Sequence, residues 1–235
     1  MLSWKQVLVA IGSVVALVMS VVVSAAQTAR DQHEAHRLHR DPKAYIAALE
    51  DPKRDAYQKP DEVVSALGLK EGEVVADIGA GSGYFALRFA RRVGESGRVY
   101  AVDISPDMIL HLNRRIRDLG IANVVTILAP PDDPLLPPAS VDRVFFCNVW
   151  HHIEDRPAYL EVLKKALKPG GRLVIVDFHK RELPVGPPPS MKLTREEVLR
   201  AVEAAGFHLV EEHTFLPYQY FLVFEAKRPS TAEAR

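Results

Sequence analysis

From Pro60 to Lys227 the sequence switches repeatedly between two hydrophobic periods, and that switching leaves few folds open to the chain. Five short apolar runs rich in β-branched residues read as buried strands: Glu73–Ile78, Arg98–Ile104, Asn123–Leu128, Val141–Val149 and Gly170–Phe178. Tyr84–Val93, Ser105–Gly120, Asp155–Lys168 and Thr194–Gly206 carry apolar residues at helical spacing instead. Their ends are marked: Ser105 precedes Pro106, Gly120 stops the same helix, and Thr194 with Glu197 has the capping-box pattern. Strand and helix in alternation predict an α/β fold, a doubly wound and mostly parallel sheet with helices on both faces. Phe207–Phe215 and Tyr218–Ala226 are separated only by Leu216 and Pro217, so a C-terminal antiparallel hairpin is expected to close the sheet.

Ligands of such sheets sit at the carboxyl ends of the strands, near the point where the strand order reverses. Gly79–Gly83, Asp103, Asp132 with Asp133, Asn148–His152 and Asp177–His179 are therefore expected to converge. In "VVADIGAGSGYF", residues 74–85, glycines at 79, 81 and 83 let a ligand approach the backbone without a Cβ in the way. The helix that follows offers unpaired N–H groups at its start. A nicotinamide dinucleotide would place its diphosphate there, and the carboxylate of Asp77 just ahead of the turn would be an awkward neighbour. Asp77 suits a ligand that is cationic or carries an ammonium group.

"VVADIGAGSGYF" resembles motif I of the class I S-adenosylmethionine-dependent methyltransferases. "VYAVDIS" (99–105) resembles their ribose-binding acidic strand end, and "LKPGGRLVIVDF" (167–178) their fifth-strand signature. Three separated motifs in the right order, spread across Pro60–Lys227, make the combination specific. The resemblance implies a Rossmann-like seven-stranded sheet with its last strand antiparallel, and S-adenosyl-L-methionine as cofactor. It places the Gly79, Gly81 and Gly83 turn beside the methionine and ribose portions, Asp77 at the amino end, Asp103 on both ribose hydroxyls and Ile104 on the adenine. Asp132, in preference to Asp133, takes the adenine amino group, and Asn148 completes the cofactor set. "VWHHIEDR" (149–156) is similar to a "YHHI"-like segment in a subgroup of small bacterial methyltransferases.

Methyl transfer from a sulfonium is an in-line displacement, so the protein chiefly aligns donor and acceptor and excludes water. A base is needed only when the acceptor must lose a proton. His152, His151 and His179 are the candidate catalytic bases, since imidazole titrates near neutrality. Trp150, Tyr218 and Tyr220 are expected to join them on the rim, with the proline-rich loop 179–193 as a cover. Such a rim suits a small or lipid-soluble acceptor that is apolar or aromatic. The rival readings are an NAD(P)-dependent oxidoreductase, disfavoured by the position of Asp77 and the closing hairpin, and a cofactor-binding regulator without turnover.

Lys and Arg together number 30, as do Asp and Glu, so no net field favours nucleic acid as a partner. Cys147 is the single cysteine and reads as a buried thiol within an apolar run. Val7–Ala26 runs 20 residues without a charge, which at helical rise spans about 30 Å, the depth of a bilayer core. Residues 1–26 are therefore read as a membrane anchor or signal segment. The run exceeds the usual signal core of about 7–15 residues, although Ser24 and Ala26 fit a signal-peptidase site. Arg30, Arg37, Arg40 and Lys43 behind the run outnumber Lys5 ahead of it, which favours an anchored protein with its catalytic domain in the cytoplasm. Export to the periplasm after cleavage is the alternative. Residues 27–59 read as a polar linker with a short helix at 44–49, residues 60–228 as the methyltransferase domain and 229–235 as a flexible tail. His33, His36 and His39 drift around a helix at their spacing and have no cysteine beside them, so no metal is expected.

Overall fold

The computed structural model describes residues 41–227. The uncharged run at 7–26, with its anchor or signal reading, the histidines at 33, 36 and 39 and the tail from 228 lie outside the described residues. Among the described residues, no helix is long and apolar enough to cross a membrane.

Among the described residues seven strands are formed: β1 Val74–Ile78, β2 Arg98–Asp103, β3 Val124–Leu128, β4 Val141–Cys147, β5 Leu167–Phe178, β6 Phe207–His213 and β7 Gln219–Ala226. They make one sheet in the order β3-β2-β1-β4-β5-β7-β6. The first five are mutually parallel, and β7 runs antiparallel to both β5 and β6, as the closing hairpin requires. The chain winds outward from β1 to β3 and then crosses to the other side of β1 with β4. The reversal of strand order therefore falls between β1 and β4, and a ligand crevice is expected at their carboxyl ends.

Both faces of the sheet are covered because successive strand residues point to opposite sides. Phe145 packs edge-on to Phe85 and Phe89, at ring-centroid distances of 4.9 and 5.0 Å, in one core. Its neighbour Phe146 meets Trp150 at 5.2 Å in the other. The helices are α1 Pro42–Leu49, α2 Asp55–Gln58, α3 Pro60–Ala66, α4 Ala86–Val93, α5 Pro106–Asp118, α6 Arg156–Ala166 and α7 Arg195–Ala204. In α4 the residues Ala86, Leu87, Phe89, Ala90 and Val93 form the buried stripe, while Arg91 and Arg92 occupy the last turn, where the helix dipole favours cations. Ser105 Oγ accepts from the Met108 amide at 3.4 Å to cap α5, and Thr194 and Glu197 form the reciprocal capping box of α7. Losing either cap costs about 1 kcal/mol.

One sequence expectation is corrected. Trp150 and Tyr220, assigned to the rim, are 0% and 2% exposed and belong to the core shared by β4, β7 and α6. Tyr220 stands opposite Asp177 in the β5–β7 ladder and directs its ring inward with Leu222 and Phe224. The described part of the expected linker also does more than connect: α1 and the turns after it lie against the glycine turn and α5.

Candidate active site

β1 carries Asp77 to the carboxyl edge, and the glycine turn then folds against the ends of two strands. Gly79 and Ala80 amides both donate to the Val102 carbonyl, at 2.8 and 2.9 Å. The Gly81 amide donates to Asp103 Oδ2 at 2.8 Å, and the Ser105 amide to Asp103 Oδ1 at 2.9 Å. One half-buried carboxylate thus ties the turn after β1 to the end of β2. Gly79 has φ +70°, and a Cβ there would fall 2.4 Å from Val149 Cγ2, so only glycine allows the turn to cross the strand reversal and touch the residues after β4. Gly83 closes the turn through its amide to the Ala80 carbonyl at 2.9 Å and sits on Leu112 of α5. Ile104, beside Asp103, is 63% exposed, more than any other large apolar side chain among the described residues. Of the two acids in the next loop, Asp133 accepts from the Leu135 amide at 2.8 Å in its own turn, and Asp132 stays exposed.

Asp77 is 3% exposed, and its Oδ2 has no hydrogen-bond partner among the described residues. Burial pushes its carboxyl up to about 8; the Ala86 amide and the Arg54 guanidinium oppose this, and the negative Asp103 adds to it. A buried carboxyl this far out of range, with one oxygen unpaired, is a place for a cationic ligand group.

Over the turn lies the segment 41–58. Asp41 caps α1 by accepting from the Lys43 and Ala44 amides at 3.1 and 3.2 Å. Leu49 Cδ1 approaches to where a Cβ on Gly81 would meet it at 3.0 Å. Glu50 pairs with His111 at 2.7 Å and Arg115 at 2.9 Å, and Arg115 also donates to the Ser82 carbonyl at 2.7 Å. Arg54 lies 4.1 Å over the Tyr84 ring, and the Tyr84 hydroxyl donates to Asp55. The segment is thereby fastened to the glycine turn and to α5.

The far side of the crevice follows β4. His151 Nδ1 lies 2.9 Å from both oxygens of Asp177, at the end of β5. The His151 amide at 3.1 Å and the Phe178 amide at 2.8 Å also donate to that carboxylate. A carboxylate can only accept, so Nδ1 carries the proton and Nε2 is left as the basic nitrogen. Both side chains are 2% exposed. His152 is exposed, its ring centroid 4.1 Å from that of His151. His179 packs against Tyr220 with centroids 5.8 Å apart, and burial first, then Arg181, lowers its pKa. The loop 179–193 folds back over Phe178: Lys192 is buried, donates to the Arg181 carbonyl at 2.9 Å and holds its ammonium 5.7 Å from the Phe178 ring. Asn148, at φ +59°, turns its amide to Gln58 and Gln219. A separate polar cleft of about 430 Å³ opens at the amino ends of the strands. Its charges pair with one another, Arg172 with Glu211 at 2.6 Å and with Glu225 at 2.8 Å, and it lies far from the glycine turn.

A family model described as a methyltransferase domain matches residues 69–219. The chain belongs to this methyltransferase family. A solved S-adenosylmethionine-dependent methyltransferase from Aquifex aeolicus is 32% identical, with a TM-score of 0.74, over 78% of this chain and 97% of that one. A putative type 11 methyltransferase from Sulfolobus solfataricus, 24% identical over 66% of this chain and 85% of its own at a TM-score of 0.55, shares the fold. Among curated relatives, the ubiquinone/menaquinone biosynthesis C-methyltransferase of Escherichia coli is 28% identical over 148 residues, 63% of this chain and 54% of the relative. The chain therefore spans about half the length of that relative. S-adenosylmethionine is the cofactor of this methyltransferase.

Sequence reasoning placed the methyltransferase's glycine turn, Asp77 and Asp103 where the structure brings them together, and passed over Arg54, Gln58, Asp177 as the partner of His151, and Gln219. A signal for the first two was present. Asp41-Pro42 and Asp51-Pro52 each put a capping carboxylate before a proline, the mark of a helical start, and α1 and the 3-10 turn Pro52–Arg54 begin there.

Proposed function

We propose that this methyltransferase moves the methyl group of S-adenosylmethionine to a small, uncharged ring acceptor of the quinol type. The observation that carries the reading is the His151–Asp177 pair at the carboxyl ends of β4 and β5, because a base held in this way suits an acceptor that must lose a proton, as a phenol or an aromatic carbon does. The printed activity of the Escherichia coli relative, C-methylation in quinone biosynthesis, supports the same acceptor class. The cofactor supplies a methyl on a sulfonium; its transfer to a ring carbon forms a C–C bond, breaks the S–C bond to leave a thioether, and requires one ring proton to depart. His151 Nε2 takes that proton while Asp177 fixes the ring and stabilises the imidazolium. His152 and His179 shape the entrance to the pocket.

For the cofactor, Asp77 holds the amino end, Asp103 the ribose hydroxyls, Ile104 one face of the adenine and Asp132 its amino group, with the Gly79, Gly81 and Gly83 turn alongside. The unpaired oxygen of Asp77 and the exposed Ile104 support this placement. Asp103→Ala is expected to weaken S-adenosylmethionine binding by about 1–3 kcal/mol, the scale of losing charge-assisted hydrogen bonds. Calorimetry on protein that circular dichroism shows to be folded measures it, and unchanged affinity would mean that the ribose lies elsewhere.

Residues 7–26 tether the enzyme to a membrane, with the domain on the cytoplasmic side, within reach of lipid-soluble acceptors. Removing residues 1–26 should move the protein from the membrane fraction to the supernatant with its fold intact. Recovery of a chain beginning at Gln27 outside the cytoplasm would replace the anchor by a cleaved signal. The acceptor reading is tested by transfer of labelled methyl to 1,4-dihydroxynaphthalene, kept reduced, and to membrane lipid extracts. Label in the organic phase is expected. Label confined to protein bands would refute a small acceptor, and binding of cofactor without any transfer would favour a regulator.

A further inference from the structure

Gln58, Asn148 and Gln219 come together from α2, the end of β4 and the start of β7, and the two glutamines are 0% and 1% exposed. Gln58 Oε1 accepts from Asn148 Nδ2 at 3.1 Å and from Gln219 Nε2 at 3.0 Å, and Asn148 Oδ1 accepts from Gln219 Nε2 at 2.8 Å. Turning over one amide, or any two, sets like atoms against each other. Turning over all three only exchanges roles between the glutamines. In either arrangement the cluster keeps one buried donor and one buried acceptor without a partner among the described residues, here Gln58 Nε2 and Gln219 Oε1. Native interiors seldom leave buried amide groups unpaired, and two in one cluster call for a ligand.

The chain neighbours of the two glutamines point to the kind of ligand. Tyr57 and Tyr218, both half-buried and each next in the chain to one of the glutamines, place their rings 6.0 Å apart at 43°. Burial pushes the Tyr57 phenol up, so it stays neutral. A pair of tyrosine rings on the residues next to an uncharged donor and an uncharged acceptor suits a flat ring that carries its own hydroxyl or carbonyl oxygens. It does not suit a carboxylate or a phosphate.

We propose that Gln58, Asn148 and Gln219, with Tyr57 and Tyr218, form the acceptor-recognition subsite, which reads the ring oxygens of the quinol-type acceptor. This deepens the function proposed above and rests on it, and it assigns Asn148 to the acceptor rather than to the cofactor. Hydrogen bonds to the ring oxygens would satisfy both unpaired amide atoms and fix which ring carbon faces the methyl donor.

The test compares wild type with Gln219→Met and Gln58→Met in the full chain. Binding of reduced 1,4-dihydroxynaphthalene is followed by tyrosine fluorescence with S-adenosylhomocysteine present, and KM and kcat are measured in the labelled-methyl assay. Each variant should bind the probe about tenfold or more weakly and raise KM, while its affinity for S-adenosylhomocysteine stays close to wild type; its melting temperature falls, because each substitution also removes a buried hydrogen-bond partner, and circular dichroism checks that the fold is kept. Naphthalene, which lacks the oxygens, should bind wild type and variants equally weakly. Probe binding unchanged in both variants overturns the subsite alone and leaves a structural amide cluster satisfied by water. A parallel fall in S-adenosylhomocysteine affinity assigns the cluster to the cofactor and also overturns it. Failure of wild type to bind the probe at all defeats the ring-acceptor reading, and this inference with it.

Discussion

Asparagine in place of Asp77 stabilises the cofactor-free protein at pH 8 and above and weakens its hold on S-adenosylmethionine about tenfold or more. The two effects have one source. Burial raises the Asp77 carboxyl from 3.8 to about 8, so between those values the native state binds a proton that the unfolded chain has released. Such a group contributes stability that is fully present below pH 3.8 and is lost as pH rises through 8, at up to about 1.4 kcal/mol for each pH unit. Asparagine has no charge to bury. The difference in melting temperature between Asp77→Asn and wild type should therefore grow in favour of the variant from pH 5 to pH 9. A cationic ligand group beside Oδ2 reverses the preference, because it favours the ionised carboxylate. Cofactor binding by wild type should accordingly strengthen with pH relative to Asp77→Asn, a comparison that cancels the titration of the cofactor's own amine. Melting curves and calorimetry across the range check both, and parallel pH profiles for the two proteins would remove Asp77 from the cofactor site.

The largest effect on turnover is expected at His151. His151→Ala should lower kcat by about 100-fold or more, the usual contribution of a positioned general base, with cofactor affinity close to wild type. Asp177→Asn leaves the imidazole in place but removes the carboxylate charge and turns one of the two accepting oxygens into an NH2 donor, so the Nδ1 proton is less firmly held and kcat should fall substantially while KM changes little. Asp177 acts through His151, and the kinetic constants separate that role from a packing defect: in both variants kcat should fall while KM and cofactor affinity stay close to wild type. His179→Ala, at a residue held against Tyr220, should retain most activity. Full activity in His151→Ala would leave alignment alone as the mechanism.

The elements were legible because each is specified by neighbours in the chain. The buried stripe of α4, the Ser105 and Thr194 caps and the opposed Phe145 and Phe146 all follow from spacing that a reader of the sequence can count. Asp77, the glycines and Asp103 were legible for a related reason: each lies at the end of its own strand, and the winding of the sheet does the rest. Contacts across the sheet were not legible. Gln58 meets Gln219 across 161 positions, and nothing local to either announces the other. Which face a residue takes was equally hidden near strand ends. Gln219 and Tyr220 are adjacent, yet the two-residue period sends one amide to Gln58 and Asn148 and the other residue's ring to the core on the opposite face, so placing Tyr220 on the rim was an error of a single position.

Calorimetry of the full chain with S-adenosylmethionine and with NAD, in parallel and against Asp103→Ala, tests the cofactor assignment on which all the proposed chemistry stands. Saturable binding of S-adenosylmethionine that weakens in Asp103→Ala, with little heat from NAD, is expected. NAD binding as tight as or tighter than that of S-adenosylmethionine would contradict it.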